Sequence, residues 1–126
     1  MEILWIAIAG VAGTLSRYGM TGLTHRVLGD RFPYGTLLVN VIGSIVIGFV
    51  MHFGITTAAL PKTARVAITI GFLGAFTTFS TFSYETVRIL EDRLWGMATL
   101  NIAANVILSI FGCWLGITLA KLLIGR

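Results

Sequence analysis

The chain has 126 residues, of which 56% are hydrophobic and only 11% charged, and its mean hydropathy is +0.93. Soluble domains carry about 25% charged residues, so this composition excludes an ordinary water-soluble enzyme. Nine Lys and Arg against five Asp and Glu give a formal charge of +4, but no basic stripe accompanies that excess, so a nucleic-acid partner is not expected.

The apolar residues fall into four runs, roughly 3–24, 35–55, 64–90 and 97–124. Each meets the ~20 residues that a membrane-spanning helix needs. The prediction is an all-α membrane protein with four transmembrane helices, forming one integral membrane domain over residues 1–126 with no room for an extramembrane domain. The first run is expected to be a mature helix rather than a leader, because Glu2 stands where a basic stretch would be and Arg17 interrupts the run. It carries Gly10, Gly13, Gly19 and Gly22, small residues that let another helix approach closely. Arg17 is the single Lys or Arg well inside a span rather than near a span end. It either snorkels to an interface or sits in a vestibule attracting anions, and it is kept as the vestibule candidate with both readings open.

Pro33 and Gly35 precede the second run, in which Asn40 stands among apolar neighbours. An unpartnered amide at membrane depth costs several kcal/mol, so Asn40 meets either a polar helix partner that simply holds the bundle together or a wet path. The third run reads Gly71-Phe72-Leu73-Gly74-Ala75-Phe76-Thr77-Thr78-Phe79-Ser80-Thr81-Phe82-Ser83-Tyr84-Glu85. Hydroxyl residues clustered just after two glycines weaken the helical ladder, predicting a break near 73–78 that is buried in protein or lines a cavity. Phe76, Phe79 and Phe82 recur every three residues, a spacing that also suits plain packing. Their ring edges carry the positive end of the quadrupole and suit a partly dehydrated anion. The fourth run places Asn101, Asn105 and Ser109 at i, i+4 and i+8, one polar line on a single helix face. A structural seam between helices is the competing reading of that line.

Orientation follows from Lys and Arg near the span ends. One side carries Lys62, Arg65, Lys121 and Arg126, the other Arg26, Arg31, Arg88 and Arg93. With no bias between the sides, both orientations are available and an antiparallel homodimer becomes possible. The groups expected along a path, namely Asn40, Thr77, Thr78, Ser80, Thr81, Asn101, Asn105 and Ser109, are uncharged and nearly all donate hydrogen bonds. No carboxylate lies at the centre of a span, and His25 and His52 fall near span ends. Proton-coupled transport normally needs an intramembrane acid or histidine. Cys113 is the only cysteine, and no catalytic triad, metal-ligand cluster or phosphate loop supports an enzyme. The residues therefore favour a passive, anion-selective path.

Along essentially its whole length the chain resembles the Fluc-type (CrcB-like) bacterial fluoride channels. The resemblance is carried by Gly10-x-x-Gly13-x-x-x-Arg17, by Gly35-Thr36-Leu37-x-Val39-Asn40, and by Gly71-x-x-Gly74-x-x-Thr77-Thr78-Phe79-Ser80-Thr81-Phe82-Ser83-x-Glu85. It implies a broken third helix and an antiparallel dual-topology homodimer in the bacterial cytoplasmic (inner) membrane. Two narrow pores would let cytoplasmic fluoride leave down its electrochemical gradient. It further implies a structural Na⁺ at the dimer centre, held by carbonyls matching Gly74 and Thr77. Phe79 and Phe82 match pore phenylalanines and Asn40 a pore asparagine, with Ser80 and Thr81 the hydroxyl pair beside them. Asn101, Asn105 and Ser109 fall where that family has a polar track. Two departures are noted: Ala75 stands where many relatives carry a second glycine, and the asparagine pair replaces other side chains. The rival readings are a small four-helix dual-topology drug/H⁺ antiporter, which relies on a carboxylate in its first helix that this chain lacks, and a non-conducting membrane scaffold protein.

Overall fold

The computed structural model describes residues 1–125. Those residues form helices α1 (Glu2–Leu28), α2 (Tyr34–Thr57), α3 (Lys62–Val66), a π-helical segment (Ala67–Leu73), α4 (Gly74–Phe76), α5 (Phe79–Glu91) and α6 (Trp95–Ile124). Four stretches are long and apolar enough to cross a membrane: Glu2–Leu28, Tyr34–Thr57, Lys62–Glu91 and Trp95–Ile124. α1 and α2 run beyond the apolar stretches that announce them. Hydropathy sees only the hydrocarbon length, whereas the hydrogen-bonded ladder continues until Gly29 (φ 79°) and Ala58 (φ 53°) end it in left-handed backbone.

The interior is polar and the exterior oily. Buried positions include Val39, Leu73, Phe76 and Phe82, but also Thr24, Thr36, Thr78, Thr86, Asn101 and Asn105. Large apolar side chains such as Ile3, Val11, Leu15, Ile107, Ile110 and Leu122 face outward. In water this distribution would be unstable; in lipid it is the expected one, because polar groups find partners only inside the bundle. The molecule is a multi-pass membrane protein.

Close helix approach is bought with glycine. α2 packs chiefly on α6, and a methyl group at Gly116 would collide with the Ile45 carbonyl, one at Gly48 with the Cys113 carbonyl. The two backbones touch without intervening side chains, which maximises dispersion contact in a solvent that supplies no hydrophobic drive between helices. α1 lies against the π segment and α4, where a Cβ at Gly13 would strike the Phe72 carbonyl. α5 packs on α6, and α1 does not reach α6.

The third span is the irregular one. The helix stops at Phe76, and Thr77 (φ −86°, ψ 161°) and Thr78 (φ −153°, ψ 121°) are extended before α5 begins at Phe79. Upstream, the π segment lengthens each hydrogen-bonded loop of the helix by one residue, a winding that recurs at functional sites.

The glycine seam yields a prediction. Gly116→Ala should destabilise the detergent-solubilised protein by about 1–3 kcal/mol, the range for overpacking, read as a lower midpoint of thermal aggregation. Gly22→Ala, where nothing lies within 4 Å of the added carbon, should leave that midpoint unchanged or raise it.

Candidate functional site

The extended step at Thr77 and Thr78 exposes backbone groups that a helix would satisfy internally, and Asn40 of α2 takes up two of them. The Thr78 N–H donates to Asn40 Oδ1 at 2.8 Å, and Asn40 Nδ2 donates to the Thr78 carbonyl at 3.1 Å. The same Nδ2 donates to Asn105 Oδ1 at 3.0 Å. Asn105 Nδ2 in turn lies 3.0 Å from both the carbonyl and Oδ1 of Asn101, and Asn101 Nδ2 donates to Thr86 Oγ1 at 3.0 Å. Thr86 Oγ1 closes the series on the Phe82 carbonyl at 2.7 Å. At the start of α5 the Thr78 side chain caps the helix, accepting from the Thr81 N–H at 3.1 Å.

These diversions free two carbonyls. In an uninterrupted helix the Thr78 N–H would bond the Gly74 carbonyl and the Thr81 N–H the Thr77 carbonyl. Here the first goes to Asn40 and the second to the Thr78 hydroxyl. Gly74 is exposed, and a side chain there would meet nothing nearer than the Thr69 carbonyl at 3.8 Å.

Beside this step a cavity of about 500 Å³ opens on the side of the bundle. Asn40, Ser44, Gly74, Thr77, Thr78, Phe79, Phe82, Asn105 and Ser109 line it, with Ile47, Val106 and Ile110 as its apolar wall. No ionisable side chain is among its lining. Phe82 is buried, whereas Phe79 is 77% exposed; the two rings meet edge to face, centroids 5.4 Å apart at 61°. An apolar groove of about 410 Å³ continues along the same α2 and α6 faces through Ile47, Met51, Cys113 and Ile117.

Most polar groups on the cavity wall are already engaged. The Ser44 hydroxyl donates to the Asn40 carbonyl, Thr77 to Leu73, and the Thr78 hydroxyl to Thr81. Ser109 is different: its Oγ is buried and has no hydrogen-bond partner. Of the residues expected from the sequence, Asn40, Phe79, Phe82, Asn105, Ser109, Gly74 and Thr77 come together around this cavity. Ser80 and Thr81 sit behind it on the first turn of α5, Asn101 is wholly buried between α5 and α6, and Arg17 is half-buried on α1; none of the four is in its wall. Sequence reasoning missed Thr86, and also the pairing of Glu85, which accepts from the Thr36 hydroxyl at 2.8 Å. The i, i+4 step from Phe82 to Thr86 was the available signal for Thr86.

Fold and site thus define a four-span membrane protein whose polar seam opens into an uncharged, aromatic-walled cavity. The sequence pattern described as CrcB-like protein, Camphor Resistance (CrcB), matches residues 4–117. Among curated relatives, the "Fluoride-specific ion channel FluC" of Syntrophotalea carbinolica is 51% identical over 121 residues, 96% of this chain and 98% of that protein. The protein of the same name from Geobacter sp. (strain M21) is 49% identical over 122 residues, 97% and 98% of the two chains. Its counterpart from Dehalococcoides mccartyi is 46% identical over 122 residues, 97% and 94% of the two. The chain belongs to the CrcB-like family.

Asn40→Leu should leave the Thr78 N–H and carbonyl unpaired, at about 1–3 kcal/mol for each buried group. Hydrogen exchange at the Thr78 amide should then accelerate strongly relative to that of amides within α6. Unchanged exchange at Thr78 would show that Asn40 does not hold the step.

Proposed function

We propose that the protein is a passive fluoride-selective channel that lets cytoplasmic fluoride leave the bacterial cell across its inner membrane. The observation that carries this reading is the wall of the open cavity. It joins two phenylalanine rings to a buried hydroxyl with no partner and contains no charge. The names of the relatives, which cover nearly the whole chain, support the choice of fluoride.

A bare fluoride in an apolar site loses tens of kcal/mol of hydration, so a path must return donors closely spaced. The Ser109 hydroxyl is the donor still available at the wall, since the amide protons of Asn40 and Asn105 already have acceptors. Ring edges of Phe79 and Phe82 supply further positive potential without a fixed cation that would trap the ion. The lack of a lining carboxylate or histidine argues against proton coupling and the antiporter alternative. Hydrogen fluoride enters cells neutral and ionises in a less acidic cytoplasm. The anion then leaves with the help of the inside-negative potential, worth about 2.3 kcal/mol per 100 mV.

The pathway is completed by a second, inverted copy. One wall of the cavity is missing, Phe79 is exposed on that side, and the apolar groove continues the same open face. Equal Lys and Arg counts on the two faces suit insertion in both orientations. Two symmetry-related pores result. At the centre, the carbonyls of Gly74 and Thr77 would hold a structural Na⁺: both have lost their helical amide partners and Gly74 lies open on the surface. Such an ion supplies positive charge that offsets the convergence of carbonyl dipoles from two broken helices.

Purified protein in liposomes should release fluoride rapidly on shunting of the membrane potential while retaining chloride; no flux, or flux that requires a proton gradient, would refute the channel. Phe79→Ile and Phe82→Ile should each lower the flux by up to about tenfold, on the order of the 0.5–1.5 kcal/mol of an aromatic-edge contact, with the dimer intact by size-exclusion chromatography. Ser109→Ala should slow fluoride several-fold, the effect of about one lost hydrogen bond. Asn40→Asp should suppress passage through charge repulsion.

A further inference from the structure

The amide series on α6 does not behave as a row of ion ligands. Its donors all point the same way: Asn40 Nδ2 to Asn105, Asn105 Nδ2 to Asn101, Asn101 Nδ2 to Thr86, and the Thr86 hydroxyl to the Phe82 carbonyl. The series also begins and ends on the same short helix. At one end Asn40 grips Thr78, the N-cap of α5; at the other Asn101 reaches Thr86, about two turns further along the same helix, whose hydroxyl bonds back to the Phe82 carbonyl. Between those ends it passes through α2 and α6. Asn101 is 0% exposed and Thr86 7% exposed, and neither lines the cavity.

We infer that Thr86 and Asn101 are positioning residues: a one-way relay of hydrogen bonds clamps α5 at both ends of its first two turns and sets the placement of Phe82 and Asn40 without touching the ion. The inference rests on the channel reading above for its functional consequence, but not for its structural one. Directionality gives the relay its stiffness. Each amide uses its oxygen to receive from the preceding residue and its nitrogen to donate to the next, so no member can turn over without breaking two bonds in a dry interior. Thr86 terminates the relay because its hydroxyl both accepts from Asn101 and donates to a backbone carbonyl. Without that hydroxyl, Asn101 Nδ2 faces an apolar group and the relay loses its anchor on α5.

The test compares Thr86→Val, which keeps the shape and removes the hydroxyl, with Thr86→Ser, which keeps the hydroxyl. Two readouts are taken on the full-length protein: fluoride and chloride efflux from liposomes, and the ¹⁹F NMR resonance of 4-fluorophenylalanine introduced at position 82. Thr86→Val should lower fluoride flux by about tenfold, as expected for one lost hydrogen bond, and should shift or split the ¹⁹F resonance. Thr86→Ser should restore both to within about twofold, on the same argument. If Thr86→Val does not give monodisperse protein, Asn101→Leu is read in the same two ways. An unaltered ¹⁹F resonance, or wild-type fluoride flux, in the hydroxyl-free variant overturns the inference. A wild-type protein that passes no fluoride defeats the channel reading alone, and the ¹⁹F comparison then still decides whether the relay places Phe82.

Discussion

The reciprocal pair of hydrogen bonds between Asn40 and the backbone of Thr78 is the contact on which the rest of the architecture depends. Extended backbone inside a membrane has no water to turn to, and each orphaned group costs several kcal/mol. A single asparagine side chain carries one acceptor and two donors, enough to satisfy both backbone groups of Thr78 and still reach α6 through Asn105. The interruption of the third span is therefore held by a side chain from another helix. Its by-product is a pair of carbonyls, at Gly74 and Thr77, whose helical partners have been drawn away.

The onward bond from Asn40 to α6 is possible because α2 and α6 lie against one another backbone to backbone. Gly48 and Gly116 permit the approach by leaving no Cβ in the gap, and the approach brings Asn40 within 3.0 Å of Asn105. Small residues and polar residues thus perform linked tasks: the first set the separation, the second lock the register. Lipid provides no hydrophobic drive for helix association, so dispersion at the glycines and hydrogen bonds between the amides have to supply it.

The sequence made the four spans legible because hydropathy over about 20 residues is a strong signal, and the polar interior was foreshadowed by Asn40, Asn101 and Asn105. What it did not reveal was which amides satisfy one another. Spacing at i and i+4 puts Asn101 and Asn105 on one helix face but says nothing of which atoms meet. Asn101 is consequently enclosed between α5 and α6, whereas Ser109, a full turn beyond Asn105, keeps an unengaged hydroxyl at the cavity. The π winding of 67–73, a segment that lies against α1, was also beyond reach, since it leaves no compositional mark. Thr86 lay hidden for a similar reason: a threonine one turn after a phenylalanine is unremarkable until its partner on α6 is known.

α6 touches α5 near its C-terminal half through Asn101 and acts on its first residues through Asn105 and Asn40. A short helix held at Thr86 by α6 and at Thr78 by Asn40 of α2, itself bonded to α6, moves with that pair as a rigid attachment. Any change in bilayer thickness that tilts α6 is therefore transmitted to both aromatic rings together, which gives the surrounding lipid a mechanical handle on the cavity wall.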